Sequence, residues 1–335
     1  MSHAAASAFL PTEITNSSQP PVSPALSDIR TAADRLAGTA HRTPVLTSTS
    51  LDALAGATLH FKCENFQRGG AYKFRGALNA VRSLTDEQAR HGVVTHSSGN
   101  HATCLSLAAR LRGIPAYIVV PRNAPLIKQR AIAAYGGQLT LCDPTLAARQ
   151  AEADRIQRET GAVFVHPYDD PLVIAGQGTV ALELLDQAGP LDALVAPVSG
   201  GGLMSGLGLV TTALSPHTEV WGAEPALADD AFRSLREGRL LANSNPDTIA
   251  DGLRASLSER TFALIRQHTS GIVTVSEAQI ISAMRLIWER LKLVVEPSAA
   301  VPLAAVLAAP EKFHDKRVGL VLTGGNVDLD KLPWQ

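Results

Sequence analysis

From Val93 onward, short apolar runs alternate with longer segments whose apolar residues recur every three or four positions. Val93–His96, Ala116–Val120, Gln138–Cys142 and Val163–Val165 read as strands, the second ended by Pro121. Between them, Ala102–Leu111, Ile127–Tyr135 and Leu146–Thr160 read as helices, the last two closed by Gly136-Gly137 and Gly161. Strands and helices alternating through short loops predict a parallel sheet covered on both faces. A second set follows: helix Gly178–Gln187, strand Leu194–Ala196, helix Leu203–Leu214, strand Val220–Gly222, helices Glu277–Leu293 and Ala299–Ala308, and a last buried strand, Val318–Leu322. Residues from about 59 to 84 are assigned to this second set. The pattern predicts an α/β protein of two open parallel-sheet domains, a large one over 25–85 and 168–335 and a small one over 86–167 inserted within it.

Composition narrows the function. The 335 residues suffice for two such domains. With 30 basic and 31 acidic residues there is no basic stripe for nucleic acid or a membrane surface, and 4% aromatic content offers little for base stacking. No apolar stretch approaches a membrane span. Cys63, Cys104 and Cys142 are far apart, without a Cys-x-x-Cys pair, and read as buried thiols in a reducing cytoplasm. Residues 1–24, rich in Ala, Ser, Thr and Pro and free of Lys and Arg, lack the positive start of a targeting peptide and are expected to form a disordered tail.

Five segments carry candidate chemistry. In Gly69-Gly70-Ala71-Tyr72-Lys73-Phe74-Arg75-Gly76, a lysine lies past a glycine turn, between two rings, at the start of a helical pattern. Flanking rings lower the local dielectric and favour the neutral amine that a Schiff-base lysine needs; a surface lysine on an amphipathic helix is the alternative. Ser199-Gly200-Gly201-Gly202-Leu203 lies between a strand and a helix, where free N–H groups and a helix N-terminus can cradle phosphate, or simply make a tight turn. The dinucleotide fingerprint is not met, because the third glycine falls one place late, at Gly206. Ser97-Ser98-Gly99-Asn100-His101 is a second strand-to-helix turn, suited to a carboxylate or ring oxygen and equally to ordinary helix capping. Glu224–Asp230 brings three carboxylates and main-chain carbonyls into one turn, hard ligands for Mg²⁺ or Ca²⁺ or else a solvated acidic loop. Thr323-Gly324-Gly325-Asn326 follows the last buried strand, at the end where α/β sheets bind ligands.

Together these segments resemble the fold-type II pyridoxal-phosphate enzymes (tryptophan synthase beta-like architecture), in the branch of threonine/serine dehydratases, which are ammonia-lyases, and serine racemases. Further matching segments are Glu64–Gln67, Ile174–Thr179, Thr248–Leu253, Val295–Ser298 and Thr323–Leu329, in order from about Ile29 to Pro333. The resemblance implies that Lys73 carries pyridoxal 5'-phosphate, with Tyr72 at a position usually Phe. It implies that Asn100 contacts the ring oxygen, that Ser199, Gly200, Gly201, Gly202 and Leu203 hold the phosphate, that Thr323 faces the pyridine nitrogen, and that Gly252 and Glu296 belong to the cofactor's surroundings. It places the substrate carboxylate on Ser97, Ser98, Gly99, Asn100 and His101, with Ser98 on the face opposite Lys73. Glu224, the Ala228 carbonyl and Asp230 match a divalent-cation site for Mg²⁺ (or Mn²⁺ or Ca²⁺).

The implied activity is dehydration of a β-hydroxy L-amino acid, threonine or serine, to a 2-oxo acid and ammonia. Serine racemisation, and dehydration of 3-hydroxyaspartate or phenylserine, are the alternatives. Tyr168 and Ala255 replace polar residues of the mammalian-type racemase, whereas Arg149 matches a substrate-region arginine that can meet a second carboxylate. A surface role for Arg149 is the other reading. The resemblance also implies a homodimer.

Overall fold

In the computed structural model, residues 22–124, 126–243 and 246–335 are described. The expected disordered tail therefore lies outside the described residues up to residue 21. At its end Pro24 is buried, and the Val22 carbonyl accepts Arg260 Nε at 2.9 Å.

Ten strands are present among the described residues: β1 Val45–Leu46, β2 Thr58–Cys63, β3 Val93–His96, β4 Ala116–Pro121, β5 Gln138–Cys142, β6 Val163–Phe164, β7 Ala193–Pro197, β8 Glu219–Pro225, β9 Gly271–Val275 and β10 Arg317–Leu322. They form two sheets. The larger has the order β1-β2-β10-β7-β8-β9 and the smaller β5-β4-β3-β6. Every pairing is parallel except β1 with β2. All five residues of β7 are buried, as are five of the six in β10, because both faces are covered by helices.

Several elements begin earlier or end sooner than periodicity predicts. The helix read as Gly178–Gln187 runs from Pro171 to Ala188, started by the Asp170 carboxylate capping the N–H groups of Leu172 and Val173 and by Pro171 at its first turn. The α-helix read as Glu277–Leu293 ends at Leu286 and widens into a π-helical turn, Ile287–Leu291, closed by Lys292 at φ 60°. Strand β9 and the helix Leu26–Leu36 were not read from the pattern at all.

One helix joins the two layers. Lys73–Ser83 packs on Pro171–Ala188 beneath the large sheet and on Asn100–Arg112 beside the small one. Its crossing with Pro171–Ala188 is so close that a Cβ on Gly176 would lie 2.6 Å from the Gly76 Cα. Two buried ion pairs lock the same helix. Arg75 donates to both carboxylate oxygens of Glu64, at 2.7 and 2.8 Å, and to both of Glu183, also at 2.7 and 2.8 Å. A guanidinium with two facing carboxylates and its remaining donors satisfied fixes geometry well, because each unpaired charge would carry a large desolvation cost.

Candidate active site

The C-terminal ends of β3, β7 and β10 converge between the two sheets, the place where α/β proteins bind ligands. Lys73 is the first residue of its helix, with Tyr72 as N-cap. Its half-buried amine lies 5.2 Å from the Tyr72 ring centroid and donates to the Pro167 carbonyl at 2.8 Å. Burial pushes this amine down to about 8, as the flanking rings suggested, so the neutral form is far more accessible near neutral pH than for an ordinary lysine. The Tyr72 hydroxyl makes no hydrogen bond to another described residue.

After β7 the chain turns through Ser199 at φ 53° and Gly201 at φ 84° into the helix Gly202–Leu214. The Tyr168 ring lies on this loop: a Cβ on Gly200 would fall 2.4 Å from it, and one on Gly202 would fall 2.8 Å from the Tyr168 carbonyl. No residue but glycine fits there. First-turn N–H groups of the helix, at Gly202 and Leu203, have no intrahelical partner. The Leu203 side chain itself is buried in the core.

Asn100 opens the helix Asn100–Arg112 directly after the half-buried turn Ser97–Gly99, in which the Gly99 N–H donates to Ser97 Oγ at 3.3 Å. The Ser98 hydroxyl meets no partner among the described residues. His101 is buried; its Nε2 donates to the Val165 carbonyl at 3.3 Å and its Nδ1 has no partner. Burial, then the nearby Lys73 charge, hold its imidazole well below the usual range, so it is neutral. Thr323 is buried at the end of β10, its carbonyl accepting the Tyr72 N–H at 3.0 Å while its hydroxyl makes no bond to a described residue. Buried Glu296 accepts Asn100 Nδ2 at 2.8 Å. Gly252 stands at the margin, its N–H spent on Ser298 Oγ at 3.1 Å.

Arg149 is half-buried on Leu146–Thr160, and its charge bears on His96 at the end of β3, just before the serine turn. The acidic segment divides in two. Asp229 pairs with Arg233 at 2.7 Å, whereas Glu224 and Asp230 are buried, and burial, then the Asp230 charge, hold the Glu224 carboxyl well above the usual carboxylate range. Glu224 Oε1 is buried without a partner, and burial pushes Asp230 up to about 6. Among the described residues no group of three or more His, Cys, Asp or Glu is placed to hold a metal ion.

A half-buried lysine amine, a loop only glycine can line, an uncommitted hydroxyl at a strand end and a polar turn between two parallel sheets make a site for a phosphate-bearing carbonyl cofactor. Residues 36–324 match the family described as pyridoxal-phosphate dependent enzyme. The chain belongs to that family. It is 53% identical over 311 residues to the beta-hydroxyaspartate dehydratase of Paracoccus denitrificans, covering 93% of this chain and 99% of that protein. Maize serine racemase superposes with a TM-score of 0.90 at 45% identity, over 92% of this chain and 95% of that one. Threonine deaminase isoform 2 from Solanum lycopersicum does so with 0.85 at 32% identity, over 93% of each.

In this pyridoxal-phosphate dependent enzyme, three contacts among these residues escaped the sequence motifs. These are the Pro167 carbonyl that receives Lys73, the Tyr168 ring on Gly200, and Asn326, whose Nδ2 donates to Asn100 Oδ1 at 2.9 Å and to the Gly69 carbonyl at 2.8 Å. The Asn326 position lay within a segment that drew notice, and Tyr168 was read only as a departure from the mammalian-type racemase. The Pro167 carbonyl and the Tyr168 ring both belong to His166–Tyr168, which carries no motif.

Proposed function

We propose that this protein is a lyase that dehydrates a β-hydroxy L-amino acid, releasing a 2-oxo acid and ammonia, and that 3-hydroxyaspartate is the substrate it favours. The observation that supports the chemistry most is the Lys73 amine, half-buried, pushed down to about 8 and held by a single carbonyl. Bound pyridoxal phosphate would supply an electron sink for the pair left at the substrate Cα. Lys73 Nζ would take the Cα proton; the β-hydroxyl then leaves with a proton as water, and the enamine formed hydrolyses to the 2-oxo acid and ammonia. The glycine loop and the first N–H groups of Gly202–Leu214 would hold the phosphate. Thr323 would offer the ring nitrogen an uncharged hydroxyl, which weakens the sink and favours prompt elimination. The N-terminal turn of Asn100–Arg112 would bind the substrate carboxylate.

For the second carboxylate of 3-hydroxyaspartate we assign Arg149, on the strength of its place beside His96 and of the dehydratase that is 53% identical to this chain. Glu224, Asp230 and the Ala228 carbonyl fit Mg²⁺: two buried carboxylates, one with an orphaned oxygen, are what a hard cation satisfies. We also assign 86–167 as the inserted domain, a homodimer as the assembly, and the cytoplasm as the compartment, which suits three buried free thiols. No described helix is long and apolar enough to cross a membrane.

The test supplies purified protein with pyridoxal phosphate, Mg²⁺ and a panel of L- and D-β-hydroxy amino acids, and follows 2-oxo acid release. Fastest release from 3-hydroxyaspartate, with Arg149→Ala losing about 10-fold or more in kcat/KM for it and little for L-threonine, supports the reading. Equal losses on both substrates would remove Arg149 from substrate recognition. Racemisation, for which the free Ser98 hydroxyl would be the second proton carrier, is read by chiral analysis of the same tubes.

A further inference from the structure

We infer that His166 is a positioning residue: its imidazole fixes the turn whose Pro167 carbonyl holds the Lys73 amine. This rests on the reading of Lys73 as the cofactor-bearing lysine and adds to it a residue that no motif indicates.

The Pro167 carbonyl is the only hydrogen-bond acceptor that Lys73 Nζ meets among the described residues, at 2.8 Å. Proline has no N–H, so Pro167 cannot be pinned through its own amide. The pinning comes from the residue before it. His166 Nδ1 accepts the Asp169 N–H at 2.9 Å and the Tyr168 N–H at 3.3 Å. Both partners are donors, so Nδ1 must carry its lone pair, and burial holds the ring's protonation down to about 4.

The ring itself is wedged. It stands edge-on to Tyr168 at 4.5 Å between centroids, and against His96 at 5.9 Å and Phe164 at 6.0 Å. Beyond the turn, Arg260 donates to the Asp169 carbonyl at 2.9 Å. The carbonyl between these two anchors therefore has one direction to point, toward Lys73. The same turn lays the Tyr168 ring on Gly200, so one imidazole orders both the amine's partner and the wall of the glycine loop.

Two substitutions separate the ring from its lone pair. His166→Phe keeps an aromatic body and removes the acceptor. His166→Asn removes the ring but sets Oδ1 the same number of bonds from the backbone as Nδ1, the geometry by which asparagine accepts N–H groups two and three residues on. Cofactor-free protein is mixed with pyridoxal phosphate, and the rate at which Lys73 captures it is followed by visible absorbance; kcat and KM are measured afterwards.

The expected result is capture and kcat slowed about tenfold in His166→Phe and restored to within about twofold in His166→Asn, with KM for the amino acid nearly unchanged. Wild-type rates in His166→Phe, or an Asn variant as slow as Phe, would overturn the assignment, since ring packing or nothing at all would then matter. A Lys73→Ala control keeps the two readings apart. If that variant still forms a covalent, borohydride-reducible adduct, the lysine assignment fails; if it does not while His166→Phe is normal, only the role of His166 fails.

Discussion

Asn100 Nδ2 donates to Glu296 Oε1 at 2.8 Å, tying the serine turn of the small sheet to the N-terminus of the helix Pro297–Ala308 packed under the large one. Asn326 holds the other side of the same amide. An amide bonded on both its oxygen and its nitrogen has one orientation, which leaves its second N–H as the donor for a ligand. Burial, reinforced by the charge of Asp251, pushes the Glu296 carboxyl up to about 8.

That shift makes a prediction about stability. The folded-state value of Glu296 lies above its ordinary 4.5, so between 4.5 and about 8 the folded protein binds a proton that the unfolded chain does not. Its contribution is complete at low pH and is lost as pH rises through about 8. Glu296→Gln keeps the acceptor for Asn100 and carries no charge. In denaturant titrations of the cofactor-free protein the variant should gain on wild type from pH 5 to pH 8; a difference that is flat with pH would show Glu296 to be an ordinary carboxylate.

Lys73 behaves in the opposite sense. Its folded value of about 8 lies below its ordinary 10.5, so between these values the unfolded chain binds more protons and stability rises with pH. Lys73→Met removes the buried charge. Without cofactor, this variant should be more stable than wild type below pH 8, with the gap closing as pH approaches 10.5. It should have no lyase activity. A gap that stays constant would mean that the Lys73 amine is not desolvated.

The glycine loop and Tyr168 should be coupled. Gly200→Ala drives a Cβ to 2.4 Å from the Tyr168 ring, an overpacking that costs about 1–3 kcal/mol and should weaken pyridoxal phosphate binding. Tyr168→Ala opens the space. In a double-mutant cycle read by thermal midpoint, the pair should lose less than the sum of its parts. Strict additivity would place the ring elsewhere in solution.

At the proposed cation site, bound Mg²⁺ would satisfy the orphaned Glu224 Oε1 and relieve its repulsion with Asp230, so its removal should lower the melting temperature. Chelator and metal titrations of wild type and Glu224→Gln check this. The wild-type midpoint should fall with chelator and return with Mg²⁺, and the variant should ignore both. A wild-type protein indifferent to chelator would remove the cation from the account.

Local patterning was enough for the elements that punctuation marks clearly. Gln138–Cys142 and Leu146–Thr160 fall where apolar spacing and Gly161 place them, because turn chemistry acts within a few residues. It failed where the signal is shared. The helix Pro171–Ala188 is apolar on most sides, since it is clasped by Lys73–Ser83 and Gly202–Leu214, and no amphipathic stripe marks its start. Gly206, which spoiled the dinucleotide fingerprint, has a packing role: a Cβ there would lie 2.6 Å from the Gly178 N.

By itself, then, the sequence determined the alternation that makes parallel sheets, the glycines that allow close approach, and the reactive types at Lys73, Asn100 and Thr323. Only the tertiary structure decided how those groups are aimed. The Pro167 carbonyl on Lys73, the Tyr168 ring on Gly200 and the Glu296 acid on Asn100 each join residues about 30 to 200 positions apart, and a backbone carbonyl has no sequence signature. Burial, which sets the protonation of Lys73 and Glu296, is likewise a property of the packed neighbours and not of the residue.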